Sequence, residues 1–247
     1  MKTKKNAITG MFLMLGISFV ILSLDGCTKE NNTATSPENS QTKEALLNYT
    51  MADTSLTGCN YCIDSLPIEP LNTSESEALT FMREEELLAH DVYLTLSQLY
   101  TKPIFRNISR SEQRHTDMVK ALLNKYGMVD PAANHVTGTF TNQDLQNLYN
   151  SLVNTGSVSL INALIAGATI EDLDIKDLKD HLLTTDNQDI TCVFTNLMRG
   201  SRNHLRSFYA NIKFTGGAYT PQYLPQAEFD AIVNSKHEFG TGNCHCN

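Results

Sequence analysis

Four stretches of this chain carry one residue type pattern, and its spacing decides what they can fold into. The first reads Leu79, Met82, Glu86, Ala89, Tyr93, Leu96, Tyr100; the second Ile108, Glu112, His115, Val119, Leu122, Tyr126. The third reads Leu164, Ala168, Glu171, Ile175, Leu178, Leu182, and the fourth Ile190, Phe194, Leu197, Ser201, His204, Phe208. Alternating steps of three and four put such residues on one stripe of an α-helix turned toward a bundle core. Each stripe is apolar except near its middle. Glu112 and His115, three apart, point the same way about one turn from each other. Groups of this kind are costly to bury unless something compensates them. A metal ion held between facing helices is the leading compensation.

The punctuation agrees with helices. The first runs from about Ser74, where Ser74 and Glu77 fit a capping box, to Tyr100, with Pro103 as the break. The second runs from Pro103 to Tyr126 and stops at Gly127. After a loop containing Pro131 and Gly138, Thr141 and Asp144 open a short helix to Asn154, with Gly156 beyond it. Its Leu145, Leu148 and Leu152 read as packing. The third long helix spans about Val158–Leu183 and the fourth about Gln188–Ile212, and Gly216-Gly217 closes the bundle. The tail holds Pro221, Pro225 and a short helix from Gln226 to Asn234. No series of strands and no sequence repeat is evident. The expected fold is all-α: a four-helix bundle over residues 73–214 with short extra helices, then a C-terminal tail over 215–247.

The N-terminus is of another kind. Lys2, Lys4 and Lys5 precede an uncharged apolar run from Met11 to Leu24, the form of a secretory signal. A single membrane-spanning helix is the rival, but the run from Ala7 to Leu24 lies near the lower length limit. Leu24-Asp25-Gly26-Cys27 resembles the lipobox of bacterial lipoproteins, apart from its Asp25. That resemblance implies a signal peptide over 1–26 and a lipid on Cys27. It also implies anchoring to a membrane of the bacterial cell envelope, at the outer membrane or the periplasmic face. Residues 27–72 read as a polar tether carrying a Cys pair. Loss of the three lysines and one aspartate of 1–26 would leave a chain more acidic than the whole, which carries −8. An acidic surface argues against nucleic acid as a partner.

Six cysteines are present. Cys59 and Cys62 form a C-x-x-C, Cys244 and Cys246 flank His245, and Cys192 stands alone. Outside the cytoplasm, disulfides among Cys59, Cys62, Cys244 and Cys246 are the first expectation, with three pairings open. A zinc site is the alternative, although the spacing fits no common finger or ribbon.

The candidate metal ligands are Glu86, Glu112, His115, Glu171 and His204. Asp174 shares the third helix's site and Glu85 replaces Glu86 if the first helix is rotated. All lie away from the helix ends, so antiparallel helices can bring them to one level. Carboxylates bridge two cations and offset their charge, and imidazole adds a neutral terminal ligand. The bland readings stand beside this. A single glutamate in a stripe is commonly paired with an arginine, and a single histidine is commonly a satisfied core residue. Tyr93 reads as packing or as a catalytic or supporting group beside the cluster. Asp172, Asp177 and Asp180 read as a solvated face, and His90, His135, His181 and His237 as surface residues. Arg199, Arg202 and Arg206 surround the fourth stripe and reach solvent or pair with acids.

Glu86-Leu-Leu-Ala89-His-Asp-Val-Tyr93 resembles the first-helix E-x-x-A-x-x-x-Y of rubrerythrins, and Glu112-Gln-Arg-His115 their second-helix E-x-x-H. Ile165-Ala166-Gly167, with Glu171 beyond, resembles the start of their third helix. More closely, residues from Ser74 to Val233 resemble the ferritin-like family called domain of unknown function 2202. Arg83-Glu84-Glu85-Glu86, Ser111-Glu112-Gln113-Arg114-His115, Asp172-Leu173-Asp174-Ile175, Arg199-Gly200-Ser201-Arg202-Asn203-His204-Leu205-Arg206 and Pro221-Gln222-Tyr223-Leu224 carry it. The resemblance implies a ferritin-like bundle with a di-iron site; one iron, manganese or zinc are the alternatives. Glu112 and Glu171 would bridge; Glu86, His115 and His204 would be terminal. Oxidation of Fe(II) or reduction of peroxide would be the reaction. The chain lacks the four-Cys iron domain of classical rubrerythrins, so an external electron donor is implied; a homo-oligomer is also left open. One departure stands out: the fourth helix has Ser201 where a second E-x-x-H requires glutamate. A non-catalytic metal-binding, partner-binding or structural bundle is therefore the competing reading.

Overall fold

Each helix begins where a side chain takes over backbone donors that have no helical partner. The computed structural model describes residues 63–239. Helix α1 spans Thr73–Leu99. Its cap is Asn72, not Ser74: Asn72 Oδ1 accepts from the Glu75 amide and Glu75 Oε2 accepts from the Asn72 amide, both at 2.9 Å. An Asn two residues upstream wins because Glu75, unlike Glu77, is buried and can also be used elsewhere. Its Oε1 accepts from the amides of Asp186 and Asn187, tying the start of α1 to a distant turn. Helix α2 spans Pro103–Lys125, with proline in the first turn, where no amide is needed. The chain leaves α2 through Gly127 at φ 63°, a left-handed conformation that suits glycine.

Helix α3 spans Gln143–Gly156 and is capped by Asn142, one residue after the expected Thr141. Helix α4 spans Leu160–Leu182, capped by Ser159; α5 spans Gln188–Phe214; and α6 spans Gln226–Val233. Among the described residues all regular structure is helical, apart from one isolated bridge between Val136 and Thr139. None of the described helices is long and apolar enough to cross a membrane.

Packing closes a ring. α1 lies against α2 and α4, and α5 lies against α4 and α2. The turns from α1 to α2 and from α4 to α5 are short, so each pair is a helical hairpin. The long connection carries α3, which packs on α1 and α4, and α6 covers α5. Two apolar clusters fill the ring. One gathers Val92, Tyr93, Leu96, Phe105, Ile108, Leu164, Ala168 and Phe208. The other gathers Leu79, Met82, Val119, Leu122, Leu178, Ile190, Phe194 and Leu197. Burying each large side chain contributes about 1.5–3 kcal/mol. On the first, second and fourth stripes the polar residues lie between these clusters; on the third, Glu171 is flanked by Ala168 and Ile175 of the first cluster.

Two sequence expectations change. Asp172 is buried, because its carboxylate accepts from the Tyr219 hydroxyl and from the amides of Gln222, Tyr223 and Leu224. It fastens the tail to α4 and does not face solvent. Cys192 is not alone: it is disulfide-bonded, and the other five cysteines all lie outside the described residues. The signal segment 1–26, the lipid position Cys27, and Cys59, Cys62, Cys244 and Cys246 likewise lie outside them.

Candidate metal centre

The middle of the ring brings the sequence candidates together. Glu86 of α1, Glu112 and His115 of α2, Glu171 of α4 and His204 of α5 are all at most 3% exposed. Two triads form, Glu86–Glu112–His115 and Glu112–Glu171–His204, and within each the ligand atoms lie within 4.8 Å of one another. Glu112 belongs to both. Its Oε2 lies 2.7 Å from His115 Nδ1 and its Oε1 lies 2.7 Å from His204 Nδ1. Glu86 Oε2 completes the first side at 3.2 Å from His115 Nδ1, and Glu171 Oε2 the second at 3.4 Å from His204 Nδ1. The two imidazoles stack with centroids 5.4 Å apart. Glu171 belongs only to the triad with His204, and Glu112 is the carboxylate the two triads share.

Both histidines turn Nδ1 inward, and their far sides are held by neighbours. His204 Nε2 is 3.0 Å from Ser111 Oγ. The His115 ring edge sits against Gly200, where a Cβ would lie 2.6 Å from Nε2. A glycine inside a helix costs about 1 kcal/mol relative to alanine; here it makes room for the imidazole. Tyr93 Oη donates to Glu171 Oε1 at 2.5 Å and lies 3.2 Å from the Gly167 carbonyl. It therefore orients the carboxylate from the side of the apolar cluster that holds Phe208.

Electrostatics shows what the cluster lacks. Burial raises Glu86 to about 7, against the pull of His115. Burial raises Glu171 as well. Burial also disfavours charge on Glu112, but the imidazoles of His204 and His115 outweigh it and hold that carboxyl well below its usual range. Burial opposes charge on His204, yet Glu112 and Glu171 lift it to about 9, and Glu112 and Glu86 likewise raise His115 against its burial. Protons thus offset the carboxylates, and a divalent cation could take their place. Glu86 Oε1 has no hydrogen-bond partner among the described residues. Arg83 pairs with Asp130, Lys125 with Asp189, and Arg202 and Arg206 with Glu238. Donor types and burial fit a bound metal ion.

The remaining candidates fall around this centre. Asp174 lies outside both triads but beside them, with Oδ2 held by Ser201 Oγ. The serine that replaces the expected glutamate on α5 therefore fixes a carboxylate from α4. Glu85 is buried next to Asp174 and does not replace Glu86. Glu84 accepts from the amides of Thr141 and Asn142 and anchors α3. Asp177 is half-buried, and only Asp180 of the supposed solvated face is open, with 51% of its side chain exposed. The four outlying histidines are partly exposed. His90 and His135 both bind the buried Asp91, which pins the loop through Gly138. Burial among Phe81 and Phe194 lowers His181, and burial lowers His237. Sequence reading missed Ser111, Gly200 and Asp91; of these only Gly200, a glycine within a helical stripe, left a local signal.

The fold and the centre define an all-α bundle whose interior holds acidic and histidine side chains able to bind a metal ion. The chain belongs to the family described as an uncharacterized protein domain, DUF2202, whose model matches residues 75–236. It is 49% identical over 178 residues to the uncharacterized protein MJ0754 of Methanocaldococcus jannaschii, covering 72% of this chain and 96% of that protein. The crystal structure of hypothetical protein MJ0754 from Methanococcus jannaschii DSM 2661 superposes with a TM-score of 0.69, over 70% of this chain and 99% of that one.

Proposed function

We propose that this protein is a ferritin-like di-metal carboxylate protein, lipid-anchored through Cys27 in the bacterial cell envelope. It would oxidise Fe(II) or reduce peroxide. The observation that carries the reading is Glu112: one buried carboxylate whose two oxygens each face a different imidazole, completing two triads. Iron is favoured over zinc by the carboxylate-rich set, and manganese suits it too. When bound, a redox-active pair would supply one-electron steps and open positions for oxygen or peroxide.

The chain's own residues set the conditions for that chemistry. Glu112 would hold two cations at a fixed separation, with Glu86 and His115 on one side and Glu171 and His204 on the other. The flanking apolar clusters keep bulk water away from the centre. Ser111 and Gly200 fix the imidazole planes, and Tyr93 fixes Glu171 and holds a proton at its Oη within 2.5 Å of the carboxylate. Burial keeps that phenol protonated well beyond neutral pH. An external electron donor would complete a peroxidase cycle.

A second reading is favoured by Ser201: without a glutamate there, the centre binds cations but turns over nothing. Anaerobic Fe(II) titration followed by oxygen separates the two. The proposed function predicts two Fe(II) per chain, rapid oxidation, and loss of both in Glu112→Ala. Binding without oxidation would leave the non-catalytic metal-binding bundle, and no binding would remove both.

A further inference from the structure

Buried carboxylates continue outward from the centre along α4. Glu171, Asp174, Asp177 and Asp180 recur at every third residue, each step rising about 4.5 Å along the helix. Their exposure grades from buried Glu171 and Asp174 through half-buried Asp177 to open Asp180. Lys176 is paired with Asp180 at the surface and also draws on Asp177, the half-buried carboxylate one step further in. From the facing helix α1, Glu85 meets this row and faces Asp174 and Asp177. Glu85 is 2% exposed, and neither of its oxygens accepts from an ordinary donor among the described residues; its neighbour within hydrogen-bond reach is another acid, Asp177. Asp174 Oδ1 is likewise unpartnered. His181 and Tyr223 stand near the outer end.

These side chains neither cap a helix nor fasten a loop. Acids buried beside one another cost stability if ionised and otherwise must hold protons; burial, with Asp174 and Asp177 beside it, raises Glu85 well above its usual range. Nor do they form a third trap. Among the described residues only the two inner triads bring three ligand atoms within 4.8 Å. Carboxylates spaced along a path, each too poorly matched to hold an ion, favour passage: binding must be good enough to admit a cation and weak enough to release it.

We propose that Asp177, Glu85 and Asp174 form a carboxylate relay that admits divalent cations from solvent, between α1 and α4, to the inner cluster. This rests on the reading that the inner cluster binds cations. The hydrated ion meets Asp177, passes to Glu85 and Asp174 as water is shed, and is captured at Glu86, Glu112 and Glu171. Ser201 holds one oxygen of Asp174 and leaves the other turned to the path.

Stopped-flow loading of the full, processed protein with Co(II), followed by the visible absorption of the bound ion, tests the relay. In Glu85→Gln and Asp177→Asn the final occupancy and spectrum should match the unsubstituted protein, while the loading rate falls about 10-fold or more, the scale of lost electrostatic steering. Asp180→Asn should change the rate little. Asp177 is half-buried, so its variant remains informative if Glu85→Gln fails to fold. Loading at the unsubstituted rate in a folded variant would overturn the relay. So would a lower final occupancy, which would make the substituted residue a ligand. Absence of Co(II) uptake by the unsubstituted protein would instead overturn the inner site, and the relay with it.

Discussion

Two sets of buried carboxylates in this bundle are treated in opposite ways. At the periphery, each finds donors. Asp172 accepts four hydrogen bonds from the 219–224 segment, Glu84 two from the start of α3, and Glu75 amides from both ends of a long-range link. Asp91 gathers His90, His135 and the Gly138 amide. In the middle, Glu85, Asp174 and Glu86 each have oxygens with no donor. The chain can satisfy a buried acid where a loop passes by. At the centre it offers two histidines to three glutamates and leaves carboxylate oxygens for something outside the chain. Peripheral acids are folding devices; central ones are left able to hold a metal ion, at a cost in stability.

The contrast is sharpest between two single substitutions. Asp172→Ala strips four donors of their acceptor and should destabilise the protein by several kcal/mol, on the order of 3, with the metal count per chain unchanged. Thermal unfolding beside metal analysis reads both. Glu112→Ala should do the reverse, reducing bound metal from two to none and altering metal-free stability less. If the Asp172 variant lost metal and the Glu112 variant kept it, the division would fail.

Next in size is the effect of pH on the metal-free protein. Glu86, lifted to about 7, and His204, lifted to about 9, both bind protons more tightly folded than unfolded. Their stabilisation is complete at low pH and is lost as pH rises through those values. Glu112 has the opposite sign, but its effect falls below the usual carboxylate range. The metal-free Tm should therefore decline between about pH 5 and 9. Metal loading, which displaces these protons, should stabilise more at higher pH. A flat difference between loaded and unloaded melts would contradict this.

A smaller effect is expected from Ser111→Ala. Loss of the contact to His204 Nε2 should weaken metal affinity about 10–100-fold, with the stoichiometry kept. Competition with a chelator measures it, and an unchanged affinity would show that packing alone holds the ring.

Much of this was legible along the chain. The three-and-four spacing marked four helices and singled out Glu86, Glu112, His115, Glu171 and His204 as intruders on apolar stripes. Helix starts were harder, because Asn72 and Ser74 both suit a cap and the choice turns on Glu75 reaching a turn more than a hundred residues away. Asp172 looked solvated because helical periodicity sees only its own helix, while its donors arrive from a later loop. Ser111 and Asp91 carried no local signal, since their roles exist only across helices. The disulfide of Cys192 is of the same long-range kind.

The most direct measurement is anomalous scattering from crystals of the untagged protein grown with Mn(II) or anaerobic Fe(II). The account predicts two metal peaks flanking Glu112, one beside Glu86 and His115 and the other beside Glu171 and His204. Metal-free density, with the five side chains satisfied by water or by one another, would contradict it.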